Sequence, residues 1–375
     1  MSTSAALPVM IVANSLHHGG AERFTSRLIN GMDPDTISVR LVLLRKTISY
    51  ALSETVPVET LGYQSVRDLP KTIFKLRRLL IHHSPAIVLG TGTAVNTVIG
   101  GALKAMARPP AWVARMDTNP FRRDLALRRM VLGRWLPAAD AVVANSKGLK
   151  DALISRYPML RYKIHCIYNP VDFDQLDRQA VEPVDWSPCG DGPLLATMGR
   201  ATHIKGWGFL LEVFARLVAS TPARLLLCGD GPLLSELEGR AERMRLRSRV
   251  HFAGYRQNPF SLLSRADLFL LASTAEGLPN ALIEAQGLGL CAVSSRCDFG
   301  PDEIIAHGKT GLLVEGRDFS QWLETIGRLL TDSRMRMQMG EKAKPMARSR
   351  FDARRRCRQW QQLLLDVAEK GQYWG

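Results

Sequence analysis

The sequence predicts an α/β fold in which two doubly wound parallel sheets are joined by a linker. The chain has 375 residues, which is typical of two domains rather than one. Short apolar runs alternate with longer segments of helical spacing, as in parallel βαβ units. The alternation stops between Asn169 and Gly192, where three prolines and Gly190-Asp191-Gly192 indicate a linker, and then resumes. Ligands of such sheets bind beyond the carboxyl ends of the strands, so we expect the site in a cleft where two Rossmann-like halves face each other.

Each element follows from its local pattern, with β-branched or apolar runs for strands and amphipathic spacing for helices. In the first half we expect strands at Pro8–Ala13, Ser38–Leu44, Ala86–Leu89, Ala111–Ala114, Ala141–Ala144 and Ile164–Ile167, and helices at Gly20–Met32 and Lys71–His82. In the second half we expect strands at Leu194–Met198, Arg224–Cys228, Val250–Phe252, Leu268–Leu271 and Cys291–Ser294. Helices are expected there at Phe209–Val218, Leu233–Met244 and Asn280–Gly287, and then at Ser320–Leu330, Arg334–Arg348 and Ala353–Glu369.

The composition is that of a globular protein, with 46% hydrophobic and 23% charged residues. The six cysteines form no Cys-x-x-Cys pair, so neither a disulfide scaffold nor a structural zinc site is expected, and reduced thiols in a cytosolic chain fit better. Met1–Pro8 does not resemble a secretory signal. The longest uncharged stretch, Leu79–Leu103, contains Pro85 and several glycines and is not expected to span a membrane.

The net charge of +15 is unevenly distributed. Residues 1–178 contain 24 Lys and Arg against 13 Asp and Glu, whereas the rest contain 26 against 22. A basic first half suggests an anionic partner, which could be nucleic acid, a lipid surface or a phosphorylated acceptor. The alternative is that the charge only aids solubility.

Three segments at strand-to-helix junctions could bind an anionic ligand. Gly19 and Gly20 precede the first helix, where glycine admits a ligand close to the backbone and helix amides attract an anion, although glycine is also common at such turns. Arg200 and Lys205 follow the first strand of the second half and could neutralise a diphosphate, unless they are only solvated loop charges.

The third segment, Glu276 to Ala285, is the most specific. Glu276 could accept hydrogen bonds from sugar hydroxyls and Glu284, eight residues later inside a helix, from a ribose diol. The amides of Leu278, Asn280 and Ala281 lie at the helix start, where they could face an anion. The alternative is one capping acid and one surface acid, which fits poorly with the apolar neighbours of Glu284.

In this order, these motifs resemble retaining glycosyltransferase family 4, whose architecture is called GT-B. The resemblance covers nearly the whole chain, and its residues are Gly19-Gly20-Ala21-Glu22-Arg23, Gly199-Arg200, Lys205-Gly206, Gly229-Asp230-Gly231-Pro232, Gly254-Tyr255-Arg256, Glu276 with Glu284, Phe299 to Ile305, His307-Gly308 and Thr310 to Val314. It implies a domain 1–170 that binds the acceptor, a linker 171–192, and a domain 193–350 that binds a nucleotide sugar. It also implies a C-terminal helix, 351–375, that packs back toward the first domain.

The resemblance assigns roles to matching residues only. Arg200 and Lys205 would bind the donor diphosphate, and Glu276 the donor sugar. Glu284 would bind the ribose, and Gly19 and Gly20 would line the acceptor side. The backbone at Tyr255 and Arg256 would face the base, with a UDP-sugar favoured over a GDP-sugar. Many relatives carry a histidine where this chain has Met116-Asp117, so the role of Asp117 is open.

The implied reaction is the transfer of a hexosyl group with retention, in which the departing diphosphate takes the acceptor proton and no metal or other cofactor is needed. The protein would then position both substrates and stabilise the leaving group. Asp33-x-Asp35 and Asp172-x-Asp174 have the spacing of metal ligands in another glycosyltransferase architecture, but their turn and linker contexts favour structural roles. The adjacent pairs His17-His18 and His82-His83 do not predict a metal site either, whereas His203 could touch phosphate.

Two basic amphipathic segments, Lys71–Leu80 and Phe121–Trp135, could lie on an anionic membrane, although ordinary surface helices look similar. We therefore expect a cytoplasmic protein bound peripherally to the inner face of the plasma membrane, acting on a lipid-linked glycan such as a polyprenyl-diphosphate-linked one. A nucleotide-sugar epimerase with the same donor pocket is the main alternative. A nicotinamide oxidoreductase lacks its G-x-G-x-x-G signature here, and no motif supports a nucleic-acid partner.

Overall fold

The computed structural model describes residues 6–17, 19–104, 106–118, 133–184, 186 and 191–372. The strands are β1 (Leu7–Ala13), β2 (Ile37–Leu43), β3 (Val58–Thr60), β4 (Ile87–Thr91), β5 (Ala111–Met116), β6 (Ala141–Ala144), β7 (Ile164–Cys166), β8 (Leu194–Met198), β9 (Arg224–Cys228), β10 (Val250–Gly254), β11 (Leu268–Leu271), β12 (Ala292–Arg296) and β13 (Gly311–Glu315).

The α-helices are α1 (Gly20–Asn30), α2 (Leu69–His83), α3 (Thr93–Leu103), α4 (Lys147–Arg156), α5 (Phe173–Ala180), α6 (Trp207–Leu217), α7 (Leu234–Arg243), α8 (Phe260–Leu263), α9 (Asn280–Leu288), α10 (Pro301–Ile304), α11 (Phe319–Thr331), α12 (Ser333–Phe351) and α13 (Ala353–Gln372). Short 3-10 helices lie at Val66–Asp68, Leu136–Ala138, Pro158–Tyr162 and His203–Lys205.

The chain divides into two compact units. Unit 1 comprises Met1–Pro170 with Ala353–Gly375, and unit 2 comprises Val171–Asp352. The sheet of unit 1 has the strand order β3-β2-β1-β4-β5-β6-β7, and the sheet of unit 2 has the order β10-β9-β8-β11-β12-β13. All the paired strands are parallel. Both orders are of the doubly wound type, which confirms the predicted pair of Rossmann-like domains.

Burial on both faces explains the apolar strand sequences. In unit 1, β1 pairs on both sides, and its residues from Val9 to Ala13 are buried. The core there includes Phe24 of α1 and Trp360 of α13, whose rings lie 5.6 Å apart. In unit 2 the core contains Trp207 and Trp322, both almost fully buried. Each unit thus has a hydrophobic core of its own, which holds the strand ends in place.

The structure differs from the predicted elements where the local signal is weak. The three-residue strand β3 is largely exposed and contains no apolar run, and β13 begins at a glycine and has only three consecutive apolar residues, Leu312 to Val314. The helix α3 contains threonine, asparagine and two adjacent glycines, which have low helix propensity. Within 171–192, predicted as a linker, α5 forms part of unit 2 with Phe173 and Leu176 buried.

Two further expectations can be compared with the described residues. Within them, none of the helices is both long and apolar enough to cross a bilayer. Among the described residues, cysteines 166, 228, 291, 297 and 357 form no disulfide, and Cys189 lies outside the described residues. His18 and most of the basic segment Phe121–Trp135 also lie outside them.

Candidate functional site

The predicted donor-binding residues lie at the carboxyl edge of the sheet in unit 2. Strands β8 and β11 are neighbours, with Leu195 opposite Leu268, and the chain leaves them in opposite directions across the sheet, as the strand order requires. Lys205 follows β8 and Glu276 follows β11. The two residues therefore lie at the topological switch point of this sheet, where doubly wound folds bind ligands.

Lys205 and Glu276 form the central contact of this edge. The Lys205 Nζ atom lies 2.5 Å from Glu276 Oε1, and the side chains are 24% and 10% exposed. Ser273 Oγ donates to the same carboxylate oxygen over 2.7 Å. The other oxygen of Glu276, Oε2, accepts no hydrogen bond from the residues that the structure describes. The pair is therefore half-shielded, with one carboxylate oxygen left to bind another donor.

The loop that carries Lys205 can approach β11 only because residue 206 is glycine. Gly206 has a φ of 71°, in the left-handed region. A Cβ atom there would lie 2.2 Å from the carbonyl oxygen of Ala272 and 2.6 Å from Arg317 Nη2. A backbone hydrogen bond joins the same two segments, since the N–H of Thr274 donates to Ile204 O over 2.8 Å. Glycine at this position thus brings Lys205 within reach of Glu276.

Replacing Gly206 with alanine is expected to destabilise the protein by about 2–3 kcal/mol, because it combines a clash with backbone strain. Thermal unfolding would measure the effect as a clearly lowered Tm. The matched control is Gly327→Ala in α11, where a Cβ meets nothing within 4 Å and alanine favours the helix. An unchanged Tm for Gly206→Ala would show that the loop does not need this close approach.

Arg200 is not part of this contact. Its side chain is exposed, and the structure records no hydrogen bond or ion pair from its guanidinium to another described residue. The backbone around it is fixed, since Gly199 N donates to Cys228 O and Ala201 N donates to Asp230 O. Arg200 therefore lies on the same edge as Lys205 with its charge in solvent.

The helix α9 begins beside the Lys205–Glu276 pair. Pro279 precedes it, and Asn280 and Ala281 form its first turn. Glu284 is fully buried within the helix, which excludes the alternative of a surface acid. The loop after β12 packs on this turn through Gly300, which has a φ of 97° and whose missing Cβ would lie 2.6 Å from Pro279 Cδ. Leu278 is buried at this junction.

Tyr255 and Arg256 follow the edge strand β10. Arg256 is exposed and its Nε donates to the carbonyl oxygen of Ala253 over 3.0 Å. The bond from Gly229 N to Gly254 O ties this turn to the end of β9. The turn therefore reaches the same carboxyl edge, two strands away from β8.

The site also contains a thiol that remains protonated at neutral pH. Burial of Cys297, with the negative charge of Glu276 as the next cause, raises the pKa of the thiol to about 12. The Sγ atom points to the carbonyl oxygen of Phe299, 3.7 Å away. A neutral thiol is a poor nucleophile, so the structure gives Cys297 no part in covalent chemistry.

In unit 1, Gly19 and Gly20 lie where the sequence places them, at the start of α1. The Gly19 N–H donates to the hydroxyl oxygen of Tyr50 over 3.4 Å, and this hydroxyl can donate to the Gly19 carbonyl oxygen over the same distance. His17 Nδ1 lies 3.1 Å from Ser49 Oγ. Neighbouring strand ends in this sheet hold a charged cluster that the sequence reasoning missed.

That cluster is centred on Arg115 of β5, which is 1% exposed. Its Nη1 lies 2.9 Å from Asp117 Oδ2 and its Nη2 donates to Asn169 Oδ1 over 2.9 Å. The guanidinium also lies 3.5 Å from the centre of the Phe24 ring. Burial lowers the pKa of Arg115, opposed by the charge of Asp117. A cation inside an apolar strand is the signal that could have identified it, because such charges are buried only when paired.

Among the described residues, no group of three or more His, Cys, Asp or Glu side chains is arranged to hold a metal ion. Asp172 instead caps α5, accepting from Gln175 N, and Asp33 accepts from Asp35 N and Thr36 Oγ1. The structural alternative given above for both acid pairs thus agrees with their contacts. The absence of a cofactor from the reaction stays a prediction.

Comparison with known proteins identifies the family to which this chain belongs. The family described as Glycosyl transferases group 1 matches residues 183–346, and Glycosyltransferase Family 4 matches residues 18–175. An uncharacterized glycosyltransferase of Methanocaldococcus jannaschii is 28% identical over 223 residues, covering 54% of this chain and 55% of that protein. This match therefore spans about half the length of the relative.

Two further comparisons span nearly the whole chain. An N-acetylgalactosamine-N,N'-diacetylbacillosaminyl-diphospho-undecaprenol 4-alpha-N-acetylgalactosaminyltransferase of Campylobacter jejuni is 26% identical over 357 residues, covering 90% of this chain and 94% of that protein. The fold is similar to that of Anabaena HepE, solved in complex with UDP and glucose, with a TM-score of 0.77, 19% identity, and coverage of 96% and 99%. Together with the two family matches, this confirms the resemblance drawn from the motifs: the chain belongs to glycosyltransferase family 4, of GT-B architecture.

Proposed function

We propose that this enzyme transfers a hexosyl group, with retention, from a nucleotide sugar to a hydroxyl of a lipid-linked or growing glycan. The observation that carries the proposal is the Lys205–Glu276 pair at the switch point of the unit 2 sheet. A diphosphate needs cations and a sugar needs hydrogen-bond acceptors, and this pair offers one of each side by side. A UDP-sugar is the favoured donor, which is supported by the UDP found with the structural relative HepE.

Each residue of the site has a part in this proposal. Lys205 and the solvent-exposed Arg200 bind the two phosphates, and the first amides of α9, at Asn280 and Ala281, face them. Glu276 accepts a hydrogen bond from a sugar hydroxyl through Oε2, while Oε1 accepts hydrogen bonds from Lys205 Nζ and Ser273 Oγ. In the same proposal Leu278 contributes a backbone amide.

The remaining assignments concern the nucleoside and the acceptor. We assign the buried Glu284 to the ribose and the turn at Tyr255 and Arg256 to the base. Gly19 and Gly20 of unit 1 are assigned to the acceptor side.

The proposed chemistry places no base on the protein. The bond between the anomeric carbon and the diphosphate oxygen breaks, and the acceptor oxygen bonds to that carbon on the same face. The acceptor proton passes to the departing diphosphate oxygen. Lys205 and Arg200 would lower the barrier by neutralising charge on that oxygen in a site organised before reaction, a role that needs no metal.

A panel of nucleotide sugars tests the donor class. UDP-sugars, GDP-sugars and the free diphosphates would be added separately in a thermal unfolding assay. A donor at a hundred times its Kd stabilises the fold by about 2.7 kcal/mol, so the true donor is expected to raise the Tm by several degrees. The control is the corresponding nucleoside, which lacks the diphosphate. Equal shifts by nucleoside and diphosphate, or none at all, would contradict a diphosphate site.

Two observations support a proposal for the acceptor class and for the location of the enzyme: the exposed surface of α2 and the substrate of one relative. The Campylobacter relative acts on a diphospho-undecaprenol substrate, which supports a polyprenyl-diphosphate-linked acceptor here. On α2, Phe74 and Ile81 are 58% and 61% exposed, and Lys71 and Arg78 are exposed on the same face. Such spacing places two cations and two apolar side chains along one stripe. We propose that this stripe docks on the anionic inner face of the plasma membrane.

A hollow beside the stripe has a compatible charge. It has a volume of about 1210 Å³ and is lined by Ile81 together with Lys104, Arg108 and Lys370. Lys163 lines it as well, together with Asp140 and Asp366, so four Lys and Arg side chains stand against two acids. Phosphate head groups of a bilayer would meet the cations while Phe74 and Ile81 enter the interface.

Charge reversal at Lys71 and Arg78 is expected to abolish sedimentation with vesicles. Each cation near an anionic surface contributes about 1 kcal/mol, so losing two and adding two acids weakens binding by at least a hundredfold. Vesicles with and without 30 mol% anionic lipid would be compared at low and high salt. Lys309→Glu, an exposed lysine of unit 2, is the control. Binding that ignores both salt and the two substitutions would contradict membrane docking.

A further inference from the structure

A half-buried arginine connects the two loops that carry Lys205 and Glu276. Arg317 follows β13, more than 100 residues after Lys205. Its Nε and Nη2 donate to the carbonyl oxygen of Ala272 over 3.2 and 3.1 Å. The same Nη2 donates to the carbonyl oxygens of His203 and Ile204 over 3.1 and 3.4 Å. One guanidinium thus bridges the 3-10 helix before Gly206 and the segment just after β11.

The position of Arg317 is itself fixed. The guanidinium carbon lies 5.9 Å from the centre of the Phe209 ring, and that ring lies 4.7 Å from Phe319. Partial burial lowers the pKa of Arg317, which still leaves it charged at neutral pH because an arginine starts from so high a value. No acid among the described residues pairs with it, and its donors go to carbonyl oxygens instead. The charged guanidinium therefore binds backbone carbonyl oxygens of the two loops.

We propose that Arg317 is a positioning residue for the diphosphate-binding Lys205. The inference rests on the proposed function, because it assumes that Lys205 binds the donor. Three carbonyl oxygens that converge on one guanidinium would repel each other and separate without it. Hydrogen bonds from a charged donor are stronger than those between neutral groups, and several of them from one guanidinium can hold a short loop in one conformation. Loss of Arg317 would let the 203–206 loop move, and Lys205 with it.

A positioning role for Arg317 predicts that the effects of removing Arg317 and Lys205 are not additive. If Arg317 acts through Lys205, removing it matters only while Lys205 is present. If it acts directly on the ligand through its own charge, or only on global stability, its effect persists in the Lys205→Ala background. A double-mutant cycle separates these cases, because coupled residues give non-additive changes.

The cycle would use full-length protein and UDP binding measured by calorimetry. We expect Arg317→Met to weaken UDP binding about tenfold and Lys205→Ala at least as much. The double variant is expected to match Lys205→Ala within a factor of two. Arg317→Lys, which keeps the charge but cannot reach all three oxygens, is expected to retain most of the defect and guards against a misfolded Met variant. Arg247→Met, which removes an 84% exposed arginine paired with Glu242, is the matched control.

Each other outcome is decisive. Wild-type UDP affinity in Arg317→Met, or two defects that multiply in the double variant, overturns the positioning role. Wild-type affinity in Lys205→Ala contradicts the proposed function instead. Hydrogen exchange of the 202–206 amides tests separately whether Arg317 holds this loop in place. Arg317→Met is expected to accelerate the exchange about tenfold. Unchanged exchange would refute the proposal that Arg317 links the loop to the segment after β11.

Discussion

Replacement of Lys205 by alanine is expected to lower kcat about a hundredfold, with a smaller change in the KM for the donor. The reason is that charge on the leaving diphosphate grows toward the transition state, so a fixed cation stabilises that state more than the bound substrate. Removing one preorganised donor from such a site typically costs 10²–10³ in rate. Steady-state kinetics at saturating donor would measure it, with release of the nucleoside diphosphate as the readout.

The matched control is Lys309→Ala, which removes an exposed lysine of the same unit. It is expected to leave kcat and KM unchanged. Arg200→Ala gives a second comparison, since Arg200 makes no recorded contact with the Lys205–Glu276 pair and would act through the ligand alone. A near-wild-type kcat for Lys205→Ala would remove the lysine from the proposed mechanism.

The isosteric change Glu276→Gln is expected to lower kcat between roughly ten- and a hundredfold. Glutamine keeps the shape and can still accept from Ser273, but it loses the charge that holds Lys205 at 2.5 Å and strengthens a bond from a sugar hydroxyl. A charge-assisted hydrogen bond is worth about 1.5–3 kcal/mol, and 1.4 kcal/mol corresponds to a factor of ten. Kinetics with the donor identified by unfolding would check the value.

Glu238→Gln, on an exposed turn of α7, is the control and should behave as the wild type. Ser273→Ala should give a milder loss than Glu276→Gln, since it removes one neutral donor and leaves the charge. Should Glu276→Gln instead lower only the Tm and leave kcat intact, the carboxylate would be a structural partner of Lys205 and nothing more.

The fold was predictable because the strands of parallel sheets buried on both faces are apolar runs, which are easily recognised in the sequence. Strands β6, β8, β9 and β11 have the predicted bounds, since each is a mainly apolar run. Short or exposed elements such as β3 carry no such signal. The helix α5 was missed for another reason, because the prolines around it dominate the local composition.

The site was predictable only for residues whose chemistry shows in the local sequence. Lys205 and Glu276 stand at strand-to-helix junctions, where charged residues indicate ligand binding. Ser273 and Arg317 carry no comparable signal, because their roles depend on contacts with segments distant in the chain. The direct contact of Lys205 with Glu276, across 71 positions, likewise arises from the pairing of β8 with β11.

The most direct measurement of the central proposal is a crystal structure of the protein with UDP bound. We expect the diphosphate to lie at the carboxyl edge of the unit 2 sheet, with an oxygen within hydrogen-bonding distance of Lys205 Nζ and the start of α9 beside it. A diphosphate bound elsewhere, with the Lys205–Glu276 pair untouched and facing only solvent, would contradict it.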